Sequence, residues 1–300
     1  MDRDQLLDRI RKLTHPLSPI AIDHDTIVKP LYGIKCVAFD FYGTMFMSGV
    51  GDIGIDEDQQ ADSSSIFLQS LRETNLKICD DEAGERAMAL FKEIIGNYIS
   101  AAQHNGVDYP EPEIREIWRE ILTKLLDEHY IKGPLSQETA THLGIEFEFR
   151  INNIWPMPNL ESTLQSLLAL DMELGIISNS QFYTPYAFEA TMNQSLESIG
   201  FNPNLLIWSF QVGRKKPSPH FYELFVHAAS HEGLKPEQVL YIGNDIQKDI
   251  RPAKSLKMKT ALFVGDQRSI RHERNQLTKP EYRPDLIIDN LQQIPGCLKV

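Results

Sequence analysis

Hydrophobic positions along this chain fall into two alternating patterns. Short apolar, β-prone runs occur at 34–39, 173–179, 205–210, 238–244, 259–264 and 284–290. Between those of the C-terminal half, apolar residues recur at helical spacing over 159–170, 182–199 and 218–230, and again from Asp249 onward. Strands that alternate with helices predict βαβ units, and such units predict a parallel sheet with helices on both faces.

From the first strand to the second the pattern is helical. Serines at 63–65 can cap a helix over 63–75. Residues 80–103 place Met88, Phe91, Ile94, Ile95, Tyr98 and Ile99 at helical spacing, and 112–130 do the same with Ile114, Ile117, Trp118, Ile121, Leu122 and Leu125. A weaker pattern predicts a fourth helix at 136–143. Residues 47–62, with three glycines and a run of acids, read as a loop or hinge. A second hinge is expected at 150–157. The expected fold class is α/β, a doubly wound parallel sheet with a second, helical domain. Residues 1–30 form an N-terminal extension with a short helix, 31–50 and 154–300 the core, and 51–153 a helical domain inserted after the first strand.

Composition narrows the function classes. No run approaches the roughly 18 apolar residues of a membrane span. The opening, MDRDQLLDRIRKLTHPLSPI, is charged and amphipathic and lacks the apolar stretch of a signal peptide. Cys36, Cys79 and Cys297 are far apart and odd in number, which argues against a disulfide framework. A cytoplasmic setting is therefore expected. The formal charge of −12 argues against nucleic acid as a partner. It is compatible with an acidic pocket that holds a cation such as Mg²⁺.

The candidate chemistry sits at strand ends, where open parallel sheets bind their ligands. The first strand ends at Asp40 and is followed by Tyr42, Gly43 and Thr44. The second ends at Ser178-Asn179, and a later loop reads Arg214-Lys215-Lys216-Pro217. The fourth, in YIGNDIQKD, ends with Asp245, and Asp249 follows one turn later. Carboxylates gathered at one sheet edge repel each other, and a bound divalent metal and a lysine remove that penalty.

This ordered set resembles the haloacid dehalogenase superfamily of hydrolases, over residues 34–48 and 154–295. Its first motif matches Asp40-Phe41-Tyr42-Gly43-Thr44, its second Ser178 in GIISNS, its third Lys216 before proline, and its fourth the acids of YIGNDIQKD. The resemblance implies a Rossmann-like core with a helical cap of the first type that closes over the site. It implies Asp40 as the nucleophile, Thr44, Ser178 and Asn179 as contacts to the substrate's charged oxygens, and Lys216 as the neutralising cation. Mg²⁺ would be bound by Asp40, the backbone carbonyl of Tyr42, Asp245 and Asp249. The family often has Gly-Asp where this chain has Gly243-Asn244, so the first acid is either displaced to Asp245 or replaced by Asn244. The bland alternative for both aspartates is helix capping.

Tyr42 is the other departure. Family phosphatases carry an acid there that protonates the leaving group and then activates water, and an unperturbed phenol titrates near ~10. His24, His129, His142 and His220 are further proton carriers. Metal-independent haloacid dehalogenases do carry Asp-x-Tyr-Gly-Thr, need no such acid, and use an arginine to cradle halide; the first arginine after Thr44 is Arg72. The leading expectation is a Mg²⁺-dependent phosphatase acting on a small phosphorylated metabolite through an aspartyl-phosphate. The alternatives are a 2-haloacid dehalogenase and a weakly active member that binds phosphate.

Overall fold

The apolar run before Asp40 forms strand β1, Cys36–Phe39, at the centre of a sheet. The computed structural model describes residues 2–49, 60–271 and 274–299; positions 50–59 of the expected hinge lie outside the described residues. Among the described residues five further strands join β1: β2 Glu173–Ser178, β3 Phe201–Trp208, β4 Val239–Gly243, β5 Lys259–Phe263 and β6 Leu286–Ile288. All pairs are parallel and the spatial order is β6-β5-β4-β1-β2-β3. The chain thus reverses direction across the sheet between β1 and β4, and the crevice outside their carboxyl ends is where such sheets bind ligands.

Alternation along β1 explains the two helical layers. Cys36 and Ala38 join one apolar cluster with Phe221, Tyr222 and Phe225 of the helix Pro219–His231. Val37 and Phe39 face the other way, into the cluster that contains Leu164 and Leu167 of the helix Leu160–Leu168. Both faces are buried, so the strand reads as a continuous apolar run.

The helical insertion is entered through Phe46–Ser48 and left through Ile154–Pro156, which pair with each other antiparallel. It contains α2 Gln60–Arg72, α3 Ala83–His104, α4 Ile114–Asp127 and α5 Gln137–Ile151. The last is far longer than the sequence pattern predicts. Leu143, Gly144, Ile145, Glu146, Phe147 and Phe149 are all buried, so α5 shows no polar stripe, and its Glu-Phe-Glu-Phe stretch mimics a strand. Inner helices lose the amphipathic signal by which surface helices are recognised.

Other differences have local causes. The expected helix at 182–199 is two pieces, Thr184–Met192 and Leu196–Ile199, parted by Asn193 in the left-handed region. β3 starts before the apolar run because Pro203 and polar neighbours are tolerated on an edge strand. The segment after β4 begins as a π-helical turn, Ile246–Ile250, before the helix Arg251–Ser255.

The N-terminal helix α1, Arg3–Leu13, opens with a capping box of Asp2 and Gln5 and buries Leu6, Leu7 and Ile10. It packs on both α5 and the helix Thr184–Met192, and so joins insertion and core. Its Arg9 reaches the buried Glu146 of α5, which also receives Arg150 Nη2 at 2.9 Å and His142 Nε2 at 3.2 Å. Burial would raise the pKa of Glu146, but hydrogen bonds from His142, Arg9 and Arg150 hold it down to about 2.

Candidate active site

Lys216 is the hub of the site. Its Nζ lies 2.7 Å from Asp40 Oδ1 and 2.7 Å from Asp249 Oδ1, with all three side chains buried. Asp40 is fixed at the end of β1: its N–H donates to Ile242 O of β4 at 2.8 Å, and its Oδ1 accepts the Phe41 N–H at 2.8 Å. Asp249 is brought in by the π turn, whose extra residue per turn is a common device at functional sites. Its Oδ2 accepts the Asp245 N–H at 2.9 Å. The close approach needs Gly243, where a Cβ would lie 2.4 Å from Asp249 Cγ.

The lysine is held from behind. Asn179 Oδ1 accepts the Lys216 N–H at 2.7 Å, and its Nδ2 donates to Lys216 O at 3.4 Å. Asn179, expected at the substrate, is thus engaged with the Lys216 backbone. Ser178 is fully buried at the end of β2 with its Oγ 3.3 Å from Asn179 O. Thr44 Oγ1 donates to Asn244 Oδ1 at 3.2 Å, and Asn244 Nδ2 donates to Ser269 O at 2.9 Å. Gly43, at φ +78°, admits this contact because a Cβ there would sit 2.8 Å from Asn244 Nδ2. Asn244 is therefore the β4-end side chain that faces the Gly43–Thr44 loop.

Asp245 points elsewhere. Its Oδ1 accepts the N–H groups of Gln247 and Lys248 at 2.7 and 2.9 Å, which is the capping role weighed against metal binding. Among the described residues no three His, Cys, Asp or Glu side chains come together as a ligand cage. The expected set of Asp40, Asp245 and Asp249 is not assembled as one, because Asp249 is drawn to Lys216 and Asp245 to the backbone.

The charge balance nevertheless fits a cation. Two buried carboxylates, Asp40 and Asp249, share one ammonium, and the Asp245 carboxylate lies next to Asp249 without meeting it. Burial raises the Asp40 pKa to about 6, with Asp249 adding to the rise and Lys216 opposing it. Burial and then Asp249 raise Asp245 as well. Burial would lower Lys216, but the charges of Asp249 and Asp40 raise it. With Asp40, Asp249 and the neighbouring Asp245 set against the single Lys216 ammonium, carboxylates outnumber the cation here, and a divalent ion would offset the difference.

Tyr42 turns its hydroxyl to Thr184 Oγ1, 2.9 Å away, and burial followed by the charge of Glu148 lifts the phenol well above its ordinary pKa. Sequence reasoning missed Tyr241, an apparent core aromatic in β4. Its hydroxyl lies 3.0 Å from Asp249 Oδ1, donates to Ile177 O at 2.9 Å, and accepts from Lys216 Nζ at 3.3 Å. Nothing in a strand pattern separates such a tyrosine from a phenylalanine. The other candidates lie apart from the cluster: Arg72 pairs with Asp81 on the insertion, His142 with Glu146 and His220 with Glu223.

The loop between α3 and α4 is latched to this site. Glu111 N–H donates to Gly213 O, and Lys215 N–H to Tyr109 O, at 3.1 and 3.0 Å. Ser218 Oγ donates to Asp108 Oδ2 at 2.7 Å, and Gln181 Nε2 donates to Glu111 Oε1 at 2.6 Å. Arg214 faces Asp108 and Lys215 faces Glu111 across the same seam. The flanking residues of the lysine loop, Arg214 and Lys215, are thus contacts to the insertion.

A family model described as haloacid dehalogenase-like hydrolase matches residues 85–263, more than half of the chain. The chain belongs to the haloacid dehalogenase-like hydrolases. The matched stretch holds Ser178, Lys216, Asp245 and Asp249, while Asp40 precedes it and is joined to them by β1. Among curated relatives of this hydrolase are two described as glyceraldehyde 3-phosphate phosphatases. One, from Methanocaldococcus jannaschii, is 29% identical over 146 residues, covering 48% of this chain and 57% of that protein. The other, from Methanopyrus kandleri, is 25% identical over 144 residues, covering 46% and 58%. The chain thus spans less than two thirds of the length of either. The fold is similar to that of a 2-haloacid dehalogenase from Pseudomonas syringae pv. tomato, with a TM-score of 0.53 and 18% identity over 88% of this chain and 97% of that one. As a haloacid dehalogenase-like hydrolase the chain departs from the expected motifs at Tyr42 and Asn244.

Proposed function

We propose that this hydrolase is a phosphoric monoester hydrolase acting on a small phosphorylated metabolite, with Asp40 as the nucleophile. The observation that carries the reading is the Lys216 ammonium, 2.7 Å from both Asp40 and Asp249 in a buried setting with surplus negative charge. Phosphoryl transfer depends chiefly on position and on offsetting charge, and this arrangement supplies both. The phosphatase relatives support the same class, and a three-carbon phosphate such as theirs is the first substrate to test.

In this mechanism Lys216 screens Asp40 from the anionic substrate, so the carboxylate can approach phosphorus. As an Asp40 oxygen bonds to phosphorus, the bond to the ester oxygen breaks and the alcohol leaves with a proton from solvent; water then bonds to phosphorus, the bond to Asp40 breaks, and phosphate leaves with the carboxylate restored. Ser178 and Thr44 line the phosphate-facing end of β1 and β2, and Asn179 fixes the lysine backbone. Asp40 and the Tyr42 carbonyl would hold Mg²⁺, with Asn244, Asp245 and Asp249 on the β4 side. Mg²⁺, when bound, neutralises charge on the transferred group. The helical insertion, residues 51–153, acts as the cap: its 108–114 loop shuts against the lysine loop and excludes water.

The test is release of phosphate from small phosphate esters in the presence of Mg²⁺, with Asp40→Asn as the control. Turnover that Asp40→Asn and chelation both abolish supports the reading. Tyr42 favours one second reading, dehalogenation of a short 2-halo acid by Asp40. Halide release in chelator, with every phosphate ester inert, would establish that reading instead.

A further inference from the structure

The N-terminal segment is built into the junction between insertion and core. On the core side of α1, Arg11 Nε donates to Ala190 O at 2.9 Å and Arg3 pairs with Glu189, both on the helix Thr184–Met192. On the insertion side, Arg9 Nη2 reaches Glu146 Oε2 of α5 at 2.7 Å and Glu73 Oε2, just past α2, at 3.1 Å. Leu6, Leu7 and Ile10 lie buried in the apolar cluster that spans insertion and core. α1 ends where the chain crosses from one to the other. His15 N–H donates to Asn153 Oδ1 at 2.8 Å, and Asn153 Nδ2 donates back to His15 O at 3.0 Å. Asn153 O in turn accepts the Gly49 N–H at 2.8 Å, so one residue ties both crossing strands to the N-terminal segment. The segment then returns to the core. Arg268 Nη2 donates to Ser18 O at 2.6 Å, Asp266 Oδ1 accepts the Ile20 N–H at 3.1 Å, and Ile20 O accepts the Gln267 N–H at 2.9 Å.

We infer that residues 2–20 form a strap that holds the insertion shut on the core, and that opening requires Arg9 to release α5 and Glu73. The inference rests on reading the insertion as a cap. A cap that swings about its hinge moves α5 relative to the helix Thr184–Met192, and α1 is bonded to both. One set of those bonds breaks at each opening. The insertion side releases at the smaller cost: with Arg9 gone, Glu146 still accepts from Arg150 at 2.9 Å and from His142 at 3.2 Å, so no buried carboxylate is left bare. The N-terminal extension, which carries none of the site residues, thereby gains a function. It sets how often the insertion parts from the lysine loop.

The experiment is hydrogen exchange on the full chain, which needs no substrate. Two amides report on opening, because their bonds join insertion to core: Glu111 N–H, bonded to Gly213 O, and Lys215 N–H, bonded to Tyr109 O. The Asp40 N–H, bonded to Ile242 O at the centre of the sheet, reports on global unfolding. In the wild type the seam amides should exchange faster than Asp40, since opening is a smaller event than unfolding. Arg9→Gln should speed them by about 10-fold or more. Glu73→Gln, which loses only the half-exposed pair, should speed them by about 2–5-fold and is the variant to use if the Arg9 form does not fold. Variants that speed the Asp40 amide and leave the seam amides unchanged would overturn the strap, because α1 would then part from α5 only in global unfolding; the cap reading would stand. Seam amides that exchange no faster than Asp40 in the wild type would overturn the cap reading and the strap with it.

Discussion

Lys216 Nζ and Asp40 Oδ1 are 2.7 Å apart, and Asp249 approaches the same ammonium to the same distance. Removing the lysine leaves two buried carboxylates facing each other. Lys216→Met should destabilise the protein by about 3–5 kcal/mol at neutral pH, since breaking a buried pair strands its partners. The loss should shrink as pH falls toward 5, because protonation discharges Asp40, whose pKa burial raises to about 6. Turnover should fall by about 10²–10³-fold or more. Lys216→Arg should not rescue it, because a planar fork does not replace a compact ammonium between two oxygens. Urea unfolding at two pH values, together with phosphate release, checks both parts.

The seam between the insertion and the lysine loop should govern access. Gln181 ties Glu111, the Pro112 carbonyl at 2.9 Å and the Ile114 N–H at 3.0 Å to the loop that follows β2. Gln181→Ala removes all three contacts and should weaken closure by about 1.5–3 kcal/mol, the range for hydrogen bonds to charged groups. The expected result is a raised KM with a smaller change in kcat, and faster protease cleavage within 108–114. Unchanged cleavage would show that closure does not depend on this residue.

Protons and Mg²⁺ should compete at Asp40. With burial and Asp249 lifting its pKa to about 6, the nucleophile is part-protonated below that pH. At limiting Mg²⁺ the acid limb of kcat/KM should therefore lie near pH 6. Bound cation favours the carboxylate, so raising Mg²⁺ should move the limb to lower pH. A limb that stays in place across Mg²⁺ concentrations would separate the metal from Asp40.

Acid should loosen the N-terminal helix first. Glu146 is held to about 2 in the fold against an ordinary 4.5, and Arg9 is one of its partners. A depressed carboxyl adds stability above its unfolded pKa and loses it as pH drops through the folded one. The gain here is about 3 kcal/mol at neutral pH, lost between about pH 4.5 and 2. Arg9→Met should lower the melting temperature at pH 7 and flatten its dependence over that acid range. Melting curves for both proteins test this.

Much of this molecule is legible in the chain itself. Apolar runs alternating with helical periodicity determine the parallel sheet, because a strand buried on both faces must be apolar throughout. The one-sided stripes of 80–103 and 112–130 determine the outer helices of the insertion, since only a helix with one wet face advertises its period. Asp40, Ser178, Lys216 and Asp249 are legible because each belongs to a short local pattern: Asp40 directly after β1, Ser178 at the end of β2, Lys216 before Pro217, and Asp249 in the acidic run after β4. Tertiary structure decided the rest. α5 is wrapped on most sides, so its periodicity vanishes from the sequence. Asp245 and Asp249 are equivalent on paper, and only the π turn sends one to Lys216 and the other to backbone amides. Tyr241 enters the site through strand pairing, which sets β4 beside β1. Contacts between residues distant in the chain leave no local mark, and that is why geometry alone reveals them.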